Sequence, residues 1–365
     1  MSRLLQRLAD QLSIERDEYV RGELIATRAA YLARIGDFAT ARECIALVRA
    51  TFYDGRSGRV TALLMLAEAL VAHYESLSVE ARDRAMRAQL LGEVMRDAQI
   101  IALSSAWRAH IEFEFSSFHV AALSLRKALA VIGESDHAAW SRCCIILFNA
   151  CSFVGDRDRA QGWFLRGHKH AIADGDQASI DALLQNRASY NVAQLWVSRC
   201  LDRGSEKLLL TARAEVASAK NLQQLVRVQA HQDYIELAEC NLWLLEGRYS
   251  DALEWLAKVE SAGPFPSGHF TESIGHVMTA YCQLRLGNLD AAVAAFDRAR
   301  HASWGGIDVD DRLIVCWMTR ELTRESSRFV TTGLAEAAFN QAVEEYQLEV
   351  ARVSKLFSDF AVESS

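Results

Sequence analysis

Proline is nearly missing from this chain. Two occur in 365 residues, Pro264 and Pro266, where a usage near 5% gives about eighteen. Proline breaks helix interiors and sheet ladders and punctuates loops. Its scarcity, with only 19 glycines, excludes collagen-like sequence and argues against an all-β sandwich, which needs turns rich in both. Disorder is excluded by the 51% hydrophobic share. Cysteine pairs at metal-ligand spacing are also lacking. Cys44, Cys143, Cys144, Cys151, Cys200, Cys240, Cys282 and Cys316 form no Cys-x-x-Cys, and most lie in apolar stretches. They read as reduced, buried thiols rather than zinc ligands.

Clustered positive charge is lacking too. Lys plus Arg is 40 against 47 Asp plus Glu, a net charge of −7, with Arg outnumbering Lys 34 to 6. No basic stripe suited to phosphates emerges, so nucleic acid is not an expected partner. The N-terminus reads as no signal peptide. The strongest apolar stretch, 143–154, is shorter than the about 20 residues a bilayer span takes. These features lead to an expectation of a cytoplasmic, non-membrane protein of bacterial style. Phosphate-loop, zinc-protease, nucleophile-elbow and calcium-loop motifs are absent. No catalytic residue, metal or cofactor is therefore expected. The acids after Gly305-Gly306 read as the start of a helix. His168-Lys169-His170 reads as a solvated or capping group, since residues two apart on a helix face different ways.

What is present is a recurring pattern: a turn residue, then Ala five positions later. It occurs at Gly36 with Ala41, Gly155 with Ala160, Gly247 with Ala252 and Gly287 with Ala292. Gly36 and Gly155 are 119 residues apart, about three units of 40. Ser76 with Ala81 and Ser116 with Ala121 fill the missing places, giving steps of 40, 40 and 39. Gly204 marks a further turn, with Leu209 where Ala would stand. Glycine ends a helix because the next residue often takes positive φ. A small Ala lets the following helix approach closely. Ala292, Phe296 and Ala299, like Ala121, Leu125 and Ala128, continue one helical face. Turns near 36, 76, 116, 155, 204, 247 and 287, with helices over 308–324 and 332–360, give about sixteen helices. The boundary inside 79–115 is not legible.

The segments 280–299 and 244–253 resemble the tetratricopeptide-repeat family, in a longer variant of about 40 residues like the helical-repeat sensor domains of bacterial regulators. The resemblance covers roughly 20–305. It departs from the family's Trp-Leu-Gly pattern, and repeat-ending proline is missing except near 264–266. It implies an all-α fold: a right-handed α-solenoid of antiparallel helix pairs forming one domain over 1–365, with a C-terminal cap over 306–365. In that family the first helix of each pair lines the concave face, at positions about six and ten before the turn residue. This register implies a partner-binding groove with His110, Asn149, Asn241 and Tyr281 six before their turns, and Arg142, Asn191, Gln194 and Tyr234 at neighbouring positions. Asparagine suits such a groove because a carboxamide both donates to and accepts from peptide backbone. Only Arg142 would serve a clamp for an acidic chain terminus.

Phe339, Val343, Tyr346, Val350, Val353, Phe357 and Phe360 alternate spacings of four and three, a heptad seam. It is read either as a cap on the last repeat or as a docking helix through which a homodimer forms. Trp107, Trp163, Trp196, Trp255 and Trp317 are assigned to packing between helices. The functional expectation is a non-enzymatic scaffold or regulatory adaptor for a protein or peptide. The alternative is a regulator that responds to a small molecule or peptide, with a tighter cavity and buried polar groups.

Overall fold

The computed structural model describes residues 2–52, 55–204, 206–226, 228, 230, 232–263, 271–302, 307–330 and 332–361. Among them there are seventeen helices and no strand. The two prolines and Gly305-Gly306 lie outside the described residues.

After α1 (Arg3–Ile14), the helices alternate. The first series is α2 (Glu18–Ile35), α4 (Gly58–Ser76), α6 (Ala98–Glu114), α8 (His137–Val154) and α10 (Gln177–Cys200). Its members begin at 18, 58, 98, 137 and 177, in steps of 40, 40, 39 and 40. Between them run α3 (Phe38–Thr51), α5 (Glu80–Met95), α7 (Phe118–Val131) and α9 (Arg157–Asp174). The chain continues through α11 (Glu206–Val226), α12 (Gln232–Leu245), α13 (Tyr249–Ala262), α14 (Glu272–Arg285), α15 (Leu289–His301), α16 (Val309–Glu325) and α17 (Thr332–Phe357). The boundary that the sequence hides falls at Arg96-Asp97, where Arg96 takes a left-handed backbone and Asp97 caps α6.

The turn chemistry matches the repeat. Gly36, Gly155, Gly247 and Gly287 all have positive φ, and Ser116 takes the same conformation at φ 53° without being glycine. At the second place the left-handed residue is Leu77, one past Ser76, and at the fifth it is Asp202 rather than Gly204. Ala41, Ala81, Ala121, Ala160, Ala252 and Ala292 are all buried, so the small residue admits the neighbouring helix. In α9 the same spacing runs Ala160, Phe164 and Gly167, and a β-carbon added at Gly167 would lie 3.0 Å from the Cys144 β-carbon. The glycine there permits an approach closer still.

A second series was present in the sequence and unread. Asp17, Ser57, Asp97, Asp136 and Asp176 precede the five helices of the first series. Asp17, Ser57, Asp97 and Asp176 accept hydrogen bonds from backbone N–H groups of the first turn. Each satisfies donors that a helix start leaves unpaired.

Contacts group the chain into two compact units. One is Met1–Asn186, Ala219–Gln232 and Ser354–Ser365; the other is Arg187–Ser218 and Asp233–Val353. Three of the boundaries fall inside α10, α11 and α17, and the fourth follows the first residue of α12. In the first unit α2, α4, α6 and α8 pack in sequence, with α3, α5, α7 and α9 each against its predecessor. Its core holds Ile25, Val60, Leu64 and Ile100 in one cluster and Leu32, Leu66, Leu70 and Trp107 in another. The helix α8 is apolar enough to qualify as a membrane span by composition, but 72% of it is buried within the protein. In the second unit α14 packs against α13, α15 and α16.

The heptad seam is largely buried within the chain: Phe339, Tyr346, Val353, Phe357 and Phe360 are buried, and Val343 and Val350 half-buried. In the second unit Arg320 lies 4.0 Å over the Phe339 ring. In the first unit Phe357 meets Phe113 edge-on, and Arg159 donates to the Phe357 and Phe360 carbonyls at 2.9 and 2.7 Å. An arginine remote in sequence thus caps the end of α17.

Candidate functional site

The first-series helices of the first unit bring their inner faces together around a cleft of about 290 Å³. Leu24 and Thr27 of α2, Leu63 of α4, Ile100 and Leu103 of α6 and Ala139 of α8 form its apolar wall. Its rim is polar. Arg59 pairs with Glu23 at 3.2 Å and with Asp97, and reaches Gln99 at 3.3 Å. His137 and His170 share one hydrogen bond, Nδ1 to Nδ1 at 3.0 Å. Two protonated rings cannot share it. Burial, helped by His137, lowers the His170 pKa to about 4. His168 takes no part, stacking on Phe164 instead. Among the described residues no three His, Cys, Asp or Glu side chains are placed to hold a metal ion.

One helical turn deeper, on the same helix faces, a buried polar and aromatic layer follows. Tyr31, Trp107 and Arg142 follow Thr27, Leu103 and Ala139 by four, four and three residues. Arg142 is 1% exposed, and its guanidinium lies 3.7 Å from the centre of the Trp107 ring. His110 meets the same indole edge-on at 5.5 Å, and His73 meets His110 at 5.4 Å.

The charges in this layer do not balance. Arg34 donates to Asp176 at 3.0 Å and to the Ser179 hydroxyl at 2.8 Å. Ser179 in turn donates to the other Asp176 oxygen at 2.8 Å. Asp176 is held below the usual carboxylate range because Arg34 and these hydrogen bonds outweigh its burial. It is therefore spent on Arg34 and on capping α10. No guanidinium nitrogen of Arg142 has a hydrogen-bond partner. Burial pulls its pKa down to about 10, and Arg34 adds to the fall. The Tyr74 hydroxyl, close to the guanidinium, opposes that fall.

The eight groove residues expected from the register divide into groups. His110 and Arg142 come together on Trp107. Asn149 is buried farther along α8 and accepts from Asn186 at 3.0 Å. In the second unit Asn191 and Arg187 both donate to Glu215, and Gln194 is hydrogen-bonded to Tyr346. Tyr281 is buried against Trp317 at 5.9 Å and Arg285 at 5.0 Å. Tyr234 is half-buried, and Asn241 donates back to Leu237 of its own helix at 3.1 Å. All eight are buried or half-buried rather than exposed.

Sequence reasoning missed Tyr31, Arg34, His73, Tyr74 and Asp176, and left Trp107 as packing only. A register signal was available for two of them. Arg34 and Tyr74 each stand two residues before their turn positions, Gly36 and Ser76. Asp176 was legible as a helix cap but not as the partner of Arg34, which is 142 residues away.

Comparison with protein-family models gives no match, and neither does comparison with curated proteins.

Proposed function

We propose that this chain is a non-enzymatic, ligand-responsive regulatory protein. Its scaffold is a right-handed, tetratricopeptide-like solenoid of antiparallel helix pairs, closed by α17 as a cap. The ligand is a short peptide or a small molecule, and it occupies the cleft between α2, α4, α6 and α8. One observation carries the reading: four helices in the same register present an apolar cleft over a buried layer of tyrosine, tryptophan, histidine and arginine. Buried polar groups without partners are costly unless something satisfies them, and concave apolar sites with a few converging polar groups are the usual ligand sites. An adaptor with a long open groove would keep its register residues exposed, and here four of the eight are buried and four half-buried. Eight cysteines without disulfides support a reducing, cytoplasmic setting.

The test is native mass spectrometry of the full chain equilibrated with a peptide and metabolite extract. The wild type is expected to retain a bound species that is lost in Thr27→Trp, which fills the cleft. A wild type that retains nothing, or a variant that retains the same species, would overturn the reading.

A further inference from the structure

Resting on that cleft, we infer that its ligand is an apolar monocarboxylate, whose carboxylate is taken by Arg142. The count of fixed charges leads there. Arg34 and Arg142 bring two positive charges into the layer, and Asp176 brings one negative charge, already consumed by Arg34. One positive charge remains uncompensated. A monoanion restores balance, whereas a phosphate dianion would reverse it.

Arg142 is the one side chain among the described residues with three buried nitrogens lacking partners. Its fork of donors matches the two oxygens of a carboxylate. Trp107 covers a face of the guanidinium, which leaves the donors at its edge for in-plane hydrogen bonding. The walls one turn above, Leu24, Leu63, Ile100, Leu103 and Ala139, are apolar. They suit an alkyl or aryl body and offer no second cation for a second acidic group. The rim cation Arg59 is already engaged by Glu23 and Asp97. Such a carboxylate comes either from a free acid or from the last residue of a peptide with an apolar side chain.

Thermal unfolding of the full chain separates these cases. The probes are octanoate, octanamide, the tripeptide Gly-Gly-Phe, its C-terminal amide, and inorganic phosphate. A ligand that binds only the folded state raises the unfolding temperature in proportion to its concentration over Kd. Octanoate, Gly-Gly-Phe or both should raise it, while the two amides and phosphate leave it unchanged. A rise with octanoate assigns a free acid, and one with the peptide alone assigns a chain terminus. Arg142→Met should fold, because an apolar side chain replaces an unpaired buried charge, and should bind roughly 10- to 100-fold more weakly, the range of a lost charged hydrogen bond. Arg142→Lys should retain part of the binding. The inference is overturned if no acid shifts the wild type, if an amide acts like its acid, or if Arg142→Met binds as the wild type does. Should an extract species still depend on Thr27 in that event, the cleft reading stands and the carboxylate assignment alone falls.

Discussion

The two units answer the same problem differently. Both place arginine and aromatic side chains on buried or half-buried helix faces. In the second unit the cations meet carboxylates. Arg187 pairs with Glu215 at 2.6 Å and Arg213 with Glu246 at 2.6 Å. Arg285, packed on Tyr281, faces Glu321 at 3.5 Å and Glu325 at 3.6 Å, and its side chain stays 27% exposed. In the first unit Arg142 is almost fully enclosed and meets only aromatic and cationic neighbours and the distant Asp176. The second pattern builds a stable helical stack. The first holds an unmet charge beside a cleft, which marks a place for something from outside the chain.

The largest expected effect breaks the buried pair that compensates Arg34. Asp176→Ala leaves both Arg34 and Arg142 buried without a counter-charge and removes the cap of α10. Urea unfolding should show a loss of about 3–5 kcal/mol, as for other severed buried pairs. Glu246→Ala in the second unit breaks a pair whose arginine is exposed, and should cost less than about 1 kcal/mol. Equal losses would erase the contrast between the units.

A second buried carboxylate in the first unit sharpens it through pH. Asp181 is buried, Gln185 donates to one of its oxygens at 2.7 Å, and the other oxygen has no partner. Burial raises its pKa to about 7. Folding then binds a proton that the unfolded chain releases. The sign follows: stability should fall as pH rises from about 4 to 7, then level off. Asp181→Asn should remove that slope and stabilise the protein at pH 7.5 by on the order of 2 kcal/mol. Denaturant midpoints between pH 4 and 8 measure it. His170 acts in the opposite sense, since its lowered pKa makes stability fall as pH drops from 6.5 toward 4, and His170→Phe should flatten that limb.

The smallest effect concerns the turns. Ser116 holds the left-handed conformation that Gly247 and Gly287 hold in the second unit. Ser116→Gly should raise stability by about 1 kcal/mol, the cost of that conformation for a residue with a β-carbon. Gly247→Ala should lower it by about as much.

Much of the fold was legible because turn chemistry and packing act locally. Glycine or its substitute, an Ala five residues on and helical spacing together gave seven turns to within two residues. The 79–115 boundary stayed hidden because Arg96, not glycine, carries its left-handed turn. The division into two compact units has little sequence signal, because three of its four boundaries run through α10, α11 and α17. The site was half legible. Register singled out His110 and Arg142, and the structure brings both side chains onto Trp107. It could not place Arg34 against Asp176, or show that Arg142 has nothing to pair with. Those facts depend on which side chains meet across more than a hundred residues of chain.

The most direct test of the central claim compares Arg142→Met with Arg187→Met by urea unfolding, without ligand. If Arg142 is an unmet charge and Arg187 a satisfied one, Arg142→Met should raise the unfolding free energy by about 1–3 kcal/mol and Arg187→Met should lower it. A loss of stability in Arg142→Met as large as that in Arg187→Met would contradict the account, because Arg142 would then have its partner inside the chain.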